Sequence, residues 1–319
     1  MKRFIRWLMV LGLGLLVLLA VGVAVSWAPD KPLAALTARW AQPPSQFIMV
    51  GGLSVHLRDE GPKDDPVPIV LLHGTSASLH TWQGWAEALR GQRRVIRFDL
   101  PGFALTGPNA SGDYSTAAYV RFVTQTLDQL GVQRFVLAGN SLGGQIAWAT
   151  AAALPERVAQ LVLVDASGYP LESAQVAPRI PMGFAIARIP AFRPLMQVTL
   201  PRAVVESSVR NVYGDPSKVT PELVDLYVDM TLRAGNRRAL GQRIDAGYSG
   251  DTALLKTLKV PTLIIWGGQD HLIPVEFSRR FAADISSSQA VVFDDLGHVP
   301  HEEDPARTVA AVLAFLKAN

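Results

Sequence analysis

The sequence predicts an α/β fold with a mostly parallel sheet flanked by helices. Short apolar runs typical of buried strands recur along the chain, helical patterns separate them, and turn residues follow each run. This alternation is typical of a parallel sheet with helices on both faces. Ligands bind such sheets at the carboxyl ends of the strands, so polar residues just past a strand are candidates for a functional site.

The first part of the chain contains a nearly pure apolar stretch, residues 7–25, that follows three basic residues. A helix of this length, at about 1.5 Å per residue, reaches across a bilayer core of roughly 30 Å. Because basic segments stay in the cytoplasm, we expect residues 1–28 to be a single-pass anchor in a bacterial-type inner membrane, with the rest on the periplasmic side. The alternative is a cleaved signal peptide, since Ala24-Val25-Ser26 offers small residues for cleavage, and a secreted protein.

Composition excludes several classes of function. Lys2, Arg3 and Arg6 account for the formal net charge of +3, and no basic stripe with interleaved aromatic residues is present, so we expect no nucleic-acid partner. The chain has no cysteine and therefore no disulfide, thiolate nucleophile or cysteine metal site. The glycines of residues 139–144 are not followed by the lysine of a phosphate loop. We expect neither a metal nor a cofactor.

The remaining elements follow in chain order. Residues 29–46 are rich in proline and alanine and are expected to be a linker or short helix. The main domain is expected to span residues 47–319 and to begin with a hairpin around Gly51-Gly52. Its further strands are predicted at residues 69–72, 95–98, 135–138, 159–164, 262–266 and 290–293, and a helix at 305–316 closes the chain.

One interval, residues 168–249, breaks the alternation of strands and helices. Its first half is apolar and carries six prolines, and its second half contains helical stretches such as residues 221–234. We expect this interval to be an inserted helical cap that lies over the strand ends.

The stretch around Ser141 is the strongest motif. An apolar strand pattern leads into Gly139-Asn140-Ser141-Leu142-Gly143, and an alanine-rich helix pattern follows. This is a G-x-S-x-G nucleophile elbow in the strand–turn–helix context that the motif requires. Glycines at this corner remove the Cβ atoms that would clash, and the helix N-terminus presents free N–H groups to the reacting atom. Ser141 is the predicted nucleophile.

A serine needs a histidine base, and the histidine needs a carboxylate to orient it. His298 follows a predicted strand and Gly297, and we assign it as the base, with His301 as the second candidate, expected on the surface. Asp270 follows the strand at 262–266 and lies between the serine and the histidine in chain order, so we assign it as the acid. Asp165, at the end of the strand after the elbow, is the second candidate acid.

The oxyanion of an acyl-transfer intermediate needs two N–H donors. We predict the backbone amide of Leu142, the residue after the nucleophile, and the backbone amide of Thr75 in the loop His73-Gly74-Thr75. His73 itself is expected to brace this loop and not to act as a base.

These residues together resemble the α/β-hydrolase fold superfamily, in its capped single-domain branch. The resemblance covers residue 47 to the C-terminus and rests on these segments: His73-Gly74, Asp99-Leu100-Pro101-Gly102-Phe103, the elbow, Gly267-Gly268-Gln269-Asp270, and Gly297-His298 with Pro300 and Glu303. Members of the branch include esterases, lipases, epoxide hydrolases, dehalogenases and meta-cleavage product hydrolases. The resemblance implies a Ser141-His298-Asp270 triad.

The nucleophile narrows the activity that the resemblance implies. Epoxide hydrolases and dehalogenases use an aspartate where this chain has Ser141, so acyl chemistry is expected. The leading hypothesis is a serine carboxylesterase that acts on apolar acyl esters, lipids included. Alternatives are a C–C hydrolase of meta-cleavage type, which would bind an acidic dienoate through arginines of the cap or core, and an acyltransferase with the same triad. A non-catalytic binding protein is the remaining hypothesis. Four arginines lie in the expected cap: Arg179, Arg188, Arg193 and Arg202.

Overall fold

The centre of the computed structural model is one eight-stranded sheet with the order β1-β2-β4-β3-β5-β6-β7-β8. The strands are β1 (Gln46–Val50), β2 (Leu53–Glu60), β3 (Ile69–Leu72), β4 (Val95–Phe98), β5 (Phe135–Asn140), β6 (Val158–Val164), β7 (Thr262–Gly267) and β8 (Ser288–Phe293). β1 and β2 form the antiparallel hairpin, β2 pairs antiparallel with β4, and the remaining neighbours are parallel. The predicted α/β fold with a mostly parallel sheet is confirmed.

Helices cover both faces of the sheet. Outside the interval between β6 and β7, the described α-helices of the chain are α1 (Lys2–Val25), α2 (Leu33–Trp40), α3 (Gln83–Leu89), α4 (Thr116–Gln129), α5 (Leu142–Ala153), α11 (Glu276–Asp284), α12 (Pro300–Glu303) and α13 (Pro305–Ala318). Successive residues of β3 point to opposite faces: Val70 and Leu72 pack with residues of α4, α5 and α11, whereas Ile69 and Leu71 pack with residues of α3 and α13. Burial on both faces explains why β3 is apolar throughout.

The interval between β6 and β7 is helical. It contains α6 (Met182–Ala187), α7 (Arg193–Met196), α8 (Arg202–Val212), α9 (Pro221–Leu232) and α10 (Asn236–Asp245). We call residues 165–261 the insertion. Its division from the main domain, and the cap limits of 168 and 249, stay predictions; residue 249 lies outside the described residues.

The structure describes residues 2–171, 174, 175, 177–247 and 250–318; within α1, the side chains at 2, 8, 15, 16, 18 and 19 are also outside the description. Spanning a bilayer takes about 20 predominantly apolar residues in one helix. Throughout the described part of the chain, no helix has both the length and the apolar character for a membrane crossing. The predicted transmembrane anchor and the single-pass inner-membrane location are therefore wrong.

Residues 29–46 contain α2 and are bonded to the insertion. Asp229 of α9 accepts hydrogen bonds from Lys31 Nζ at 2.6 Å and from the Trp40 indole at 2.8 Å. Asp30 pairs with Arg237 of α10 at 2.6 Å. This segment therefore holds α9 and α10 in place from outside the sheet.

The tight packing at the corner between β5 and α5 can be tested by a substitution at Gly143. A Cβ on Gly143 would lie 2.2 Å from the Leu72 carbonyl oxygen in β3, so Gly143→Ala is expected to lower the free energy of unfolding in urea by at least about 2 kcal/mol. The control is Gly91→Ala, because a Cβ there meets nothing within 4 Å; its change should stay within about 0.5 kcal/mol. Equal effects of the two substitutions would contradict this account of the corner.

Candidate active site

Ser141 occupies a strained corner between β5 and α5. Its backbone has φ 54° and ψ −118°, a region that side-chain-bearing residues rarely adopt. The corner is tight because Gly139 and Gly143 approach each other: a Cβ on Gly139 would lie 2.1 Å from the Gly143 carbonyl oxygen. Only glycine fits at either position, and this contact holds Ser141 at the end of the strand with 8% of its surface exposed.

Positive φ angles recur along the same edge of the sheet. Ser76 (φ 59°), Ala104 (φ 45°) and Asp165 (φ 43°) lie shortly after β3, β4 and β6; β3 and β6 flank the strand that leads to Ser141, and β4 is the next strand beyond β3. Each such residue costs about 1–3 kcal/mol unless its surroundings enforce it, and such strain tends to cluster at functional sites. The strain thus marks the carboxyl edge of the sheet independently of any motif.

His298 and Asp270 meet at this edge. The His298 Nδ1–H donates to Asp270 Oδ2 at 2.7 Å, and both side chains are buried. Asp270 Oδ1 accepts from the backbone N–H groups of Leu272 at 2.8 Å and Ile273 at 2.9 Å. The carboxylate is thereby held on both oxygens. With its proton on Nδ1, the imidazole keeps a lone pair on Nε2 for use as a base.

The histidine loop is joined to the elbow through Asn140. The Asn140 side-chain amide donates to the carbonyl oxygens of His298 at 3.0 Å and of Val164 at 3.2 Å. On the other side of the elbow, a Cβ on Gly74 would lie 3.1 Å from Ser141 Cβ. The structure therefore packs Ser141 between the loop of Thr75 and the loop of His298.

Two amides beside Ser141 have no protein acceptor among the residues that the structure describes. Within the ranges that the structure describes, no hydrogen bond is formed by the backbone N–H of Thr75 or of Leu142. Leu142 is the first residue of α5, where helical N–H groups lack an intrahelical partner and the helix dipole is positive. These two donors can stabilise a negatively charged oxygen.

The other candidates are placed elsewhere. Both ring nitrogens of His73 form hydrogen bonds: Nε2 accepts from the Leu100 N–H at 2.9 Å, and Nδ1 donates to the Gly74 carbonyl at 2.7 Å. These contacts are those of a residue that holds the loop in place. The sequence suggested that His301 lies on the surface, but the structure buries it. Its ring packs on Trp82 at 3.9 Å between centroids, and burial holds its pKa well below the usual range. Asp165 Oδ1 accepts from the Gly267 N–H at 3.0 Å, while His298 Nδ1 donates to Asp270.

The acid–histidine cluster also contains the donor types of a metal site. Single ligand atoms of Asp165, Asp270 and His298 lie within 4.8 Å of one another. However, His298 Nδ1 and Asp270 Oδ2 are bonded directly to each other, so a cation bound to both would have to break that hydrogen bond. The geometry fits a base with its orienting acid better than a metal centre.

Comparison with known proteins identifies the family of the chain. A family model described as "alpha/beta hydrolase fold" matches residues 67–305. The chain belongs to the α/β-hydrolase fold family.

Several relatives of this hydrolase are enzymes of defined chemistry. The 2-hydroxy-6-oxo-2,4-heptadienoate hydrolase of Pseudomonas putida is 30% identical over 285 residues, 86% of this chain and 96% of that protein. A meta-cleavage product hydrolase from Pseudomonas fluorescens has a TM-score of 0.73 at 26% identity, over 86% of this chain and 98% of its own. A bacterial membrane phospholipase A matches 100% of this chain and 99% of its own, with a TM-score of 0.75 at 25% identity.

A small cleft separates the core loops of this hydrolase from the insertion. Its volume is about 250 Å³ including the open mouth. On the core side it is lined by Ser76, next to Thr75, and by Phe103; on the insertion side it is lined by Met230, Leu240 and Arg237. Arg237 is not among the four arginines that the sequence suggested, because nothing in the local sequence distinguishes it.

Glu303 is a structural residue that sequence analysis noted only as part of the family pattern. Its carboxylate accepts from the backbone N–H groups of Gly214 at 2.9 Å, Asp215 at 2.8 Å and Gly297 at 2.9 Å. In addition, the His298 N–H donates to the Val212 carbonyl at 2.8 Å. The loop that carries His298 is therefore fixed to the end of α8 in the insertion.

The adjacent Glu302 is half-buried, and its negative charge is unfavourable there. Burial raises the pKa of Glu302 to about 7, although hydrogen bonds from Tyr227 and Tyr213 act in the opposite direction; the Tyr227 hydroxyl donates at 3.1 Å. The unfolded chain ionises this group near pH 4.5 and the folded protein only near pH 7. The contribution of Glu302 to the free energy of unfolding is therefore largest below about pH 4.5. It falls as the pH rises from 4.5 to 7 and stays constant above pH 7.

Glu302→Gln is expected to remove the fall in the free energy of unfolding that the ionisation of Glu302 causes. The variant should gain free energy of unfolding relative to wild type as pH rises from 4.5 to 8, by up to about 3 kcal/mol, because one pKa unit corresponds to about 1.36 kcal/mol. Urea titrations at pH 4, 6 and 8 measure the difference. The exposed Glu156→Gln serves as the control and should show no such trend. A Glu302→Gln difference that does not change with pH would contradict the buried-charge account.

Proposed function

We propose that this α/β-fold hydrolase cleaves carboxylic esters with Ser141 as nucleophile, His298 as general base and Asp270 as the acid that orients the histidine. The observation that carries the proposal is the joint geometry at the sheet edge. A strained serine, a histidine with its Nδ1 held by a carboxylate, and two unpartnered amides lie on adjacent loops. This is the full set of parts that acyl transfer through serine needs.

The reaction proceeds through an acyl-enzyme. Ser141 Oγ attacks the ester carbonyl while His298 Nε2 takes its proton, and the oxyanion is stabilised by the amides of Thr75 and Leu142. His298 returns the proton to the alcohol as it leaves. Water then attacks the acyl-enzyme, with His298 again acting as base and Asp270 stabilising the imidazolium; the acyl–Oγ bond breaks, His298 returns the proton to Ser141 Oγ, and the carboxylic acid leaves.

We infer that the acyl group binds in this cleft, because Ser76 in its lining follows Thr75 directly, and the lining favours an uncharged acyl group over an acidic dienoate. Arg237 is the cleft's arginine, but Asp30 neutralises it at 2.6 Å and its side chain is almost wholly buried. Two of the arginines noted in the sequence are also paired, Arg193 with Asp245 and Arg202 with Asp225. The apolar walls and the similarity over the whole chain to a phospholipase A support esters with apolar acyl chains, lipids included.

C–C hydrolysis of a meta-cleavage product is the second candidate. It is supported by 30% identity to the heptadienoate hydrolase over nearly that whole protein. The same serine, histidine and acid would serve that reaction, and they would also serve transfer of the acyl group to an alcohol or amine acceptor.

A chain-length series of p-nitrophenyl esters, C2 to C16, on the full chain tests the proposal. We expect hydrolysis with a maximum at one acyl length, and a decrease in kcat of at least about 10³-fold in Ser141→Ala, because the nucleophile is lost. Ser111→Ala, in an exposed loop, is the matched control and should retain wild-type activity.

A dienoate of the meta-cleavage type, followed by loss of its colour, is tested in parallel. Turnover of the dienoate without ester hydrolysis would replace the ester proposal by C–C hydrolysis. A folded Ser141→Ala variant with undiminished activity would contradict the serine mechanism in either form.

A further inference from the structure

A second carboxyl group lies beside the orienting acid. Ligand atoms of Asp165, Asp270 and His298 lie within 4.8 Å of one another, and all three side chains are buried. Two ionised carboxylates this close in a buried site repel each other strongly, and burial penalises both charges. A proton on one of the two removes this repulsion.

The hydrogen bonds identify which carboxyl group carries it. Asp270 receives three donors, the N–H groups of Leu272 and Ile273 and the Nδ1–H of His298. Asp165 receives the Gly267 N–H on Oδ1, whereas its Oδ2 is buried and no N–H or other fixed donor in the described ranges reaches it. An ionised Asp165 would leave a bare anionic oxygen next to Asp270. A protonated Asp165 instead has an O–H to donate, with Asp270 as its acceptor.

The electrostatics of the neighbouring groups agree. Burial and the charge of Asp270 raise the pKa of Asp165 well above its usual range, and Glu303 adds to the increase. The charged or titratable groups that face Asp165 are Asp270 and His298 of the cluster and Glu303 on α12.

The backbone directs Asp165 toward this partner. Asp165 has φ 43°, a left-handed conformation that aspartate and asparagine tolerate better than most residues. Its own N–H bonds to the Ile265 carbonyl at 3.0 Å, and its side chain bonds to Gly267 at the end of β7. These two hydrogen bonds fix the Asp165 carboxyl group against the end of β7, and β7 is the strand that leads to Asp270.

We propose that Asp165 is a positioning residue that stays protonated and donates a hydrogen bond from its carboxyl O–H to Asp270, and so fixes the carboxylate that orients His298. This inference rests on the proposed roles of Asp270 and His298. Asp165 itself transfers no proton during the reaction: its O–H bond stays intact and supplies one more hydrogen-bond donor to the Asp270 carboxylate.

Two variants separate positioning from simple packing. In Asp165→Asn the side-chain amide oxygen still accepts from Gly267 and the NH₂ group replaces the O–H donor, without a group that can ionise. Asp165→Ala removes both contacts. We expect kcat for the best substrate to stay within about threefold of wild type in Asp165→Asn. In Asp165→Ala we expect a decrease of about 10- to 100-fold with KM little changed, because a misplaced base reduces the rate by such factors.

The pH profile is the readout that packing alone would not move. Ionisation of Asp165 at alkaline pH would remove the donor and add a second negative charge beside Asp270. The activity plateau of Asp165→Asn should therefore extend at least as far to alkaline pH as that of wild type. A plateau that ends at lower pH, or a loss of kcat in Asp165→Asn equal to that in Asp165→Ala, would overturn the proposal.

A spectroscopic measurement makes the test independent of substrate. The low-field proton NMR resonance of the His298 Nδ1–H reports its hydrogen bond to Asp270. It should be retained in Asp165→Asn and be shifted or lost in Asp165→Ala. An unchanged resonance and unchanged kcat in Asp165→Ala would refute the positioning role. If no ester is hydrolysed but the resonance responds as described, the failure belongs to the proposed function and not to Asp165.

Discussion

The close approach of β5, α5 and β3 at one corner is the constraint on which the site depends. Gly139 meets the Gly143 carbonyl, and Gly143 meets the Leu72 carbonyl, at distances that leave no room for a Cβ. This contact forces positive φ on Ser141 and directs the N-terminus of α5 to the same point. The energy of that strain is offset by the surrounding core, where β3 and β5 are buried on both faces.

Electrostatic contacts then fix the other groups around the corner. Glu303 fastens the loop of His298 to the insertion through three backbone amides. Asp270 is held by two amides and His298, with Asp165 close to both. The insertion therefore contributes both to the walls of the cleft and to the contacts that hold the loop of His298. A change in the position of the insertion would therefore move the loop of His298 as well as the walls of the cleft.

The sequence predicted those parts of the site that follow from strand ends. Ser141, Asp270 and His298 each come just after an apolar strand, and a parallel sheet brings such positions to one edge. Pairs that join distant segments have no local pattern, so Asp30–Arg237 and Asp165–Asp270 were not predicted as contacts. His301 was expected on the surface because of its acidic neighbours, but Trp82 buries it. Hydropathy alone led to a membrane anchor, which the structure does not support.

The central claim is that the corner aims Ser141 at the two free amides of Thr75 and Leu142. The most direct test is a crystal structure of the full chain after reaction with a fluorophosphonate. The account predicts a covalent adduct on Ser141 Oγ, with one phosphoryl oxygen about 2.7–3.1 Å from both backbone nitrogens. An adduct on another residue, or a Ser141 adduct whose phosphoryl oxygen is bound by neither amide, would contradict it.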